Sequence, residues 1–246
     1  MSVELGGILV MTGLAWKRLV RGRALWLSLV LFVIPLLVAV ATLRIDSAAE
    51  RWSSVAELTF RSLVLLAPVI HLAGALGEEL DGQTYTYFWS RPVGRDIVLL
   101  GKLLAVTPLL MLLAMLALAL AFVIVSAGAG TSELAWLGRA APAAALGVLA
   151  ASAFAVGLGA LVPRHPLVVS LAWVFLGEQI LPAVPAVQNL SAVHHVEVIA
   201  ALPQPQQTAS GTPTGSVVAL IVLAALWLTL AIWRVHRIEP GSVSPS

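Results

Sequence analysis

The amino-acid sequence predicts an all-α polytopic membrane protein with six transmembrane helices and an N-terminal interfacial amphipathic helix. Two observations carry this prediction. Of the 246 residues, 60% are hydrophobic and only 11% are charged, whereas soluble domains carry about 25% charged residues. The apolar residues also gather in runs of about 20 residues, the length that a helix needs to cross the hydrocarbon core of a bilayer. We therefore interpret residues 1–246 as a single transmembrane domain.

Six apolar runs account for most of the chain. The predicted spans cover residues 24–43, 58–77, 99–126, 139–162, 167–187 and 216–233. The first run is too long for a cleaved signal peptide, so we expect an uncleaved span, and Pro35 predicts a kink within it. Pro182 and Pro185 interrupt the fifth run, which predicts a broken or re-entrant second half.

Residues 1–23 have the pattern of a helix that lies in the membrane interface. Leu5, Ile8, Leu9, Leu14 and Trp16 recur at near-helical spacing, and a basic flank follows at residues 17–23. An apolar face, an aromatic anchor and a basic flank are typical of interfacial helices. The alternative is a positively charged flank without defined structure.

The distribution of Lys and Arg predicts the orientation. Ten of them fall on one side of the predicted spans: Lys17, Arg18, Arg21, Arg23, Arg91, Arg95, Lys102, Arg164, Arg234 and Arg237. Four fall on the other: Arg44, Arg51, Arg61 and Arg139. Because cytoplasmic loops carry the excess of basic residues, we expect both termini, including the tail at 234–246, in the cytoplasm. This placement indicates membrane topology rather than nucleic-acid binding.

The fourth span is predicted to lie at the centre of the bundle. Thirteen of residues 140–160 are Ala or Gly, and small residues allow helices to approach closely in lipid. The alternative is an alanine-rich composition without structural meaning.

Few ionisable residues fall within or beside the spans. His71 in the second span and Glu178 in the fifth are candidate pathway residues, since ionisable groups inside a membrane are usually functional, although His71 has no visible charged partner. His194, His195 and Glu197 have residue types that bind metals, but they lack a helical ligand spacing and fall in the predicted outer loop, 188–215. We expect a surface loop there, with the apolar piece 195–202 as a candidate outer gate.

The densest polar segment is the cytoplasmic loop 78–96, which carries acids, then aromatic residues, then Arg-Pro-x-x-Arg. Within it, Tyr85, Phe88 and Trp89 would share one face of a short helix. A short amphipathic helix of this kind fits the groove of a partner protein. Gly101-Lys102 follows at the start of the third span.

This loop resembles the cytoplasmic loop of ABC-2 type transporter permeases, the membrane subunits of one class of bacterial ABC exporters. The matching residues are Glu78, Gly82, Thr84, Pro92, Arg95, Gly101 and Lys102. Gln83 departs from the pattern, since it separates the expected Gly and Thr. The six spans and the N-terminal helix are also similar to that family. The resemblance implies a short cytoplasmic coupling helix that docks on an ATPase.

The coupling residues implied by the resemblance are Glu78, Glu79, Asp81, Gly82, Thr84, Tyr85, Phe88, Trp89, Arg91, Pro92, Arg95 and Lys102. It also implies two ABC ATPase subunits, a second permease copy or a homologous permease, membrane lipid as a partner, and a bacterial inner-membrane location. Leu103 follows Gly101-Lys102, so this is no phosphate-binding loop. ATP and Mg²⁺ are therefore expected on the ATPase, and no cofactor, metal or catalytic residue is expected in this chain.

Two alternatives stay open. An intramembrane enzyme, a protease or a lipid-modifying protein, needs a polar constellation within the bilayer. Glu78-Glu79 is similar to the paired glutamates of CAAX-type proteases, but Gln83 stands where that family has an arginine, and its Phe-x-x-x-His element is missing. The absence of cysteine excludes thiol nucleophiles. The second alternative is a membrane assembly protein that transports nothing.

Overall fold

The computed structural model describes residues 2–75, 95–126, 134–202 and 211–237, and within these ranges the regular structure is helical. Its α-helices are α1 (Ser2–Arg21), α2 (Arg23–Ala41), α3 (Ala48–Thr59), α4 (Leu65–Leu72), α5 (Arg95–Val125), α6 (Leu134–Leu161), α7 (Pro166–Ala172), α8 (Glu178–Ile180), α9 (Ala192–Ala200) and α10 (Pro213–Arg237).

Six helical segments in the described residues are long and apolar enough to cross a membrane, as predicted. Spans 1 to 6 are, in order, Trp26–Arg44, Ala48–Leu72, Asp96–Val125, Leu134–Leu161, Pro166–Ala183 and Pro213–Arg237. Spans 3, 4 and 6 are continuous helices, α5, α6 and α10. Spans 2 and 5 are assembled from shorter pieces.

Span 2 starts earlier than residue 58, where its apolar run begins. Its helix begins at Ala48, where the Ser47 side chain accepts a hydrogen bond from the Glu50 amide at 3.4 Å. The added turns are polar on one side, so their mean hydropathy does not indicate a membrane span. Their other side buries Trp52 and Val55 in the bundle.

Two π-helical turns interrupt the spans. One, Phe60–Val64, joins α3 to α4 in span 2. The other, Trp173–Gly177, joins α7 to α8 in span 5. Beyond α8 the chain continues as a 3₁₀ turn, Leu181–Ala183, and span 5 ends there, between Pro182 and Pro185. Single π turns inside helices frequently occur at functional sites.

Span 4 is the centre of the bundle, as its small residues predict. Of its most apolar stretch 67% is buried, against 17% for spans 1 and 5. A Cβ atom on Gly147 would lie 2.7 Å from side-chain atoms of Val64 and Val196, and one on Gly159 would overlap the carbonyl oxygen of Ala73. Glycine at these two positions therefore sets how closely spans 2 and 4 approach.

The predicted N-terminal helix is present as α1, so the unstructured alternative does not hold for Ser2–Arg21. It packs on the first turns of span 3, where a Cβ on Gly101 would lie 2.7 Å from the Cβ of Met11. Leu9 and Val10, on another side of α1, are exposed from the chain. This arrangement leaves an apolar face for lipid, as expected of an interfacial helix.

Candidate functional site: the polar cluster at α9

Helix α9 lies in the segment between spans 5 and 6. The Ser191 side chain accepts a hydrogen bond from the His194 amide at 3.1 Å and caps its first turn. The helix ends at Ala200, and Ala201 after it adopts the left-handed conformation with φ 51°. Val196 contacts the surface of span 4 at Gly147. The segment therefore folds back into the bundle and buries one helix there.

Glu178 holds the N-terminus of α9 from span 5. Its Oε2 accepts hydrogen bonds from the Ser191 hydroxyl at 2.7 Å and the Val193 amide at 3.2 Å, and its Oε1 accepts one from the Ala192 amide at 3.3 Å. The side chain is only 6% exposed. Free amides and the helix dipole both favour a carboxylate at this end of a helix, so three donors compensate the buried charge.

Arg61, in the π turn of span 2, reaches span 5 and α9 together. Its Nη1 donates to Gln179 Oε1 at 2.8 Å, and its Nη2 donates to Glu197 Oε1 at 3.4 Å. Nη2 also pairs with Glu57, one turn earlier, at 2.9 Å. We call Glu57, Arg61, Glu178, Gln179 and Glu197 the α9 cluster. Its polar side chains connect span 2, span 5 and α9.

The expectation that His194, His195 and Glu197 lie on a surface loop is wrong. All three side chains are buried, because α9 packs against spans 4 and 6 instead of crossing solvent. The Nε2–H of His195 donates to the Asn189 carbonyl at 3.0 Å, which leaves its Nδ1 to accept from the Ser216 hydroxyl at 3.2 Å. Within the part of the chain that the structure describes, no three metal-binding side chains converge.

Burial changes the acid–base properties of two α9 side chains. It raises the pKa of Glu197 to about 7, although the neighbouring Arg61 guanidinium acts in the opposite direction. Burial, together with the nearby His195, lowers the pKa of His194. Glu197 therefore changes its charge near neutral pH, while His194 stays neutral there.

A cavity of about 160 Å³ lies beside the α9 cluster, between spans 4, 5 and 6. Its wall includes Phe154, which packs edge-on against Trp227 with ring centroids 5.1 Å apart and lies 5.9 Å from the ring centroid of Trp173. Among the described residues that line it, Glu178 is the single ionisable one. Since α9 satisfies that carboxylate, the cavity presents mainly apolar surface.

His71, expected to have no visible charged partner, makes hydrogen bonds within span 2 and to span 1. Its Nδ1–H donates to the Ala67 carbonyl at 2.8 Å, and its Nε2 lies 3.1 Å from the Ser28 hydroxyl. His71 thereby links span 2 to span 1. Of the two candidate pathway residues, Glu178 lines the cavity and His71 does not.

Most predicted coupling residues lie outside the described residues. This holds for Glu78, Glu79, Asp81, Gly82, Thr84, Tyr85, Phe88, Trp89, Arg91 and Pro92. Arg95 and Lys102 lie in the first turns of α5. The coupling helix itself stays a prediction.

Sequence reasoning missed Arg61, Glu57 and Gln179 as site residues, and treated Arg61 only as a charge that indicates orientation. One signal was available. Glu57 and Arg61 are spaced i, i+4, the separation at which opposite charges pair on a helix. The contacts from Arg61 to Gln179 and Glu197 cross more than a hundred residues of chain, and no local pattern indicates them.

Comparison with known proteins supplies the family. A family profile described as "ABC-2 family transporter protein" matches residues 16–186, more than two thirds of the chain. No curated protein shows significant similarity to it. The matched region contains α1 from Trp16 onward, spans 1 to 5 and the loop 78–96. It also contains Arg61, Glu178 and Gln179 of the α9 cluster. The chain therefore belongs to the ABC-2 family of transporter membrane proteins.

Proposed function

We propose that this chain is the permease subunit of an ABC exporter, driven by ATP hydrolysis on separate ATPase subunits. The observation that carries the proposal is the family match over residues 16–186, which includes the whole loop 78–96. ATP and Mg²⁺ would bind to the ATPase, and this chain would contribute conformational change rather than chemistry. Export, rather than import, is part of the proposal.

The packing around span 3 supports a route for coupling. Loop 78–96 leads into α5, and α1 packs on the same end of that helix. At Gly101 the two helices approach so closely that an added Cβ would lie 3.3 Å from backbone atoms of Met11 and Thr12. A side chain also joins them farther along, because Gly7 faces Ile97. Movement of the loop would therefore shift span 3 and α1 together.

Helix α9 is the proposed gate at the far end of the permease. Its N-terminus is held from span 5 by Glu178, and its second half is held from span 2 by Arg61. Val196 seats it on span 4. A relative displacement of spans 2 and 5 would consequently alter the seat of α9.

The cavity supports an amphiphilic or hydrophobic cargo. Its volume is about 160 Å³, similar to an apolar cavity of about 150 Å³ that binds benzene in another protein. Leu226, at its margin, is half exposed. A hydrocarbon segment of a cargo could therefore enter from the lipid side.

The remaining partners are proposed on family membership and exposed surface. Span 1, span 5 and span 6 are the least buried of the six. Their apolar faces would contact lipid and a second permease copy or a homologous permease, with two ATPases bound below. The ten-to-four asymmetry of Lys and Arg supports a bacterial inner-membrane orientation with both termini in the cytoplasm.

The test is binding of an ABC ATPase to the loop. We expect Phe88→Asp to weaken copurification of a co-expressed ATPase from the same genome and to lower its stimulation in lipid. A buried aromatic anchor contributes about 2 kcal/mol or more to an interface, and an Asp adds an unfavourable buried charge. Phe88 lies outside every span predicted from the sequence, so membrane insertion should persist.

Phe88→Leu is the matched control, because it keeps an apolar side chain and should retain the ATPase. Undiminished copurification and stimulation with Phe88→Asp would remove the coupling assignment. Failure of the unmodified chain to bind any ABC ATPase would instead favour a membrane enzyme or an assembly protein.

A further inference from the structure

One guanidinium group connects α9 to two spans. Arg61 bonds to Gln179 on span 5 and to Glu197 on α9, at 2.8 and 3.4 Å. We propose that Arg61 is the positioning residue that keeps α9 seated in the bundle, by pairing with the buried carboxylate of Glu197. The importance of this contact for transport rests on the proposed function, in which α9 is the gate. The contact itself can be tested without an ATPase.

The two acidic partners of Arg61 differ in a way that supports this role. The Glu197 side chain is 7% exposed, whereas that of Glu57 is 48% exposed. A buried carboxylate that loses its cation is strongly destabilising, while an exposed ion pair within one helix contributes little. Glu57 also lies on the same span as Arg61 and cannot hold α9. Of the two acidic partners, Glu197 is therefore the one through which Arg61 can position the gate.

The protonation of Glu197 gives the seat a pH dependence. In the seated helix, burial raises the pKa of Glu197 to about 7, against an ordinary value of 4.5. When α9 leaves its seat and the carboxyl meets water, its pKa returns toward 4.5. The seated state therefore binds the proton more tightly, and acid favours it. This contribution is complete below pH 4.5 and is lost as the pH rises to about 7.

Several other ionisable groups lie near Glu197. Arg61 and Glu57 face it from span 2, Glu178 from span 5, and His194 and His195 share its helix. Spans 4 and 6 also pack on α9, and their ionisable residues are Arg139, Arg234, His236 and Arg237. These four are not among the groups that shift the pKa of Glu197. His194, whose pKa is lowered, opposes Glu197 and favours opening in acid. An experiment must therefore separate the two groups.

Cysteine labelling provides that separation, because the chain contains no cysteine. Val198 is buried on α9, so Val198→Cys reports opening of the helix. The protein is reconstituted in lipid nanodiscs without an ATPase, and the rate of maleimide labelling is measured at pH 6 and pH 8. When reclosing is faster than labelling, the rate follows the open population.

The first expected result uses Glu197→Gln in the same reporter background. The amide still accepts from Arg61 but cannot ionise. The ratio of the labelling rates, wild type over Glu197→Gln, should rise about tenfold from pH 6 to pH 8, because pH 6 lies one unit below the raised pKa. The effects of thiol ionisation and of His194 titration on the labelling rate are the same in both proteins, so they cancel in this ratio. A ratio that does not change with pH would overturn the role of Glu197.

The second expected result concerns Arg61 directly. At pH 8, Arg61→Gln should label about fivefold faster than wild type or more, since it removes the guanidinium group that faces the buried Glu197 side chain. Glu57→Gln is the matched control and should stay within about twofold. Equal rates for these two variants would overturn the proposal. So would faster labelling of a second reporter, Val156→Cys in buried span 4, because Arg61 would then support the whole fold and not the seat of α9.

Discussion

The two ends of this bundle are held by different kinds of contact. At the α9 end, buried carboxylates, a guanidinium group and backbone amides connect three elements, and Glu178 alone accepts three hydrogen bonds. At the end where α1 meets span 3, the contact depends on the absence of a side chain. Gly101 lets the backbone of α1 approach, as Gly159 does for Ala73 between spans 4 and 2.

The difference has consequences for how each end can move. A polar contact depends on protonation and direction, so a proton or a small displacement can release it. A close contact at glycine depends neither on protonation nor on the direction of a hydrogen bond. It is disrupted when a larger side chain replaces the glycine. We infer that the α1 end transmits movement as a rigid joint, whereas the α9 end is built to change state.

The largest expected effect is steric and falls at the α1 end. Gly101→Leu should lower the free energy of unfolding by about 3 kcal/mol, because its Cβ would meet the Cβ and backbone of Met11 and no flexible side chain can move aside. Thermal unfolding of the purified protein measures this. Gly13→Leu, on the open side of α1, is the control and should be neutral or stabilising. Equal melting temperatures for the two variants would contradict a rigid joint.

An intermediate effect is expected at the α9 end. Glu178→Ala should destabilise the protein by about 2 kcal/mol, because it leaves the Ser191 hydroxyl and two amides of α9 without their acceptor. Amide hydrogen exchange at Ala192 and Val193 should accelerate, while exchange in span 4 should not. Glu178→Gln should lower the stability less, since its amide oxygen can still accept hydrogen bonds from α9. Unchanged protection at α9 would show that packing alone seats the helix.

The smallest effect is expected at His71. His71→Ala should reduce stability by about 1 kcal/mol and leave assembly intact, because it removes neutral hydrogen bonds to Ser28 and Ala67. Ser28→Ala removes one of these bonds from the other side. In a double-mutant cycle on melting temperature, the two changes should therefore be less than additive. Complete loss of ATPase stimulation with normal expression would instead make His71 a central transport residue.

The interior of the fold was largely predictable because each element depends on local composition. The end of span 5 between Pro182 and Pro185, the existence of α1 and the central place of span 4 follow from proline chemistry, near-helical spacing and small residues. The start of span 2 at Ala48 was not predictable in this way. Its first turns are polar on one side, and only the packing of Trp52 shows that the other side is buried.

The candidate site was less predictable. Glu178 was identified because an ionisable residue near a span is unusual, but its role as the cap of α9 was not. His194, His195 and Glu197 appear polar enough for solvent, and their burial requires Gly147 and Ser216 from other spans. A polar residue can lie in water, or it can be buried where its hydrogen bonds are made by other side chains and the backbone. Local sequence does not distinguish the two.

The sequence by itself determined that this is a membrane protein with six spans and an N-terminal helix, and its loop 78–96 indicated the family. The physical reason is that the transfer of a segment of about 20 apolar residues into lipid depends on the composition of that segment alone. Only the tertiary structure decided which charged groups meet. Arg61 and Glu197 lie 136 positions apart, and their contact is set by where the helices place the two side chains, not by either segment alone.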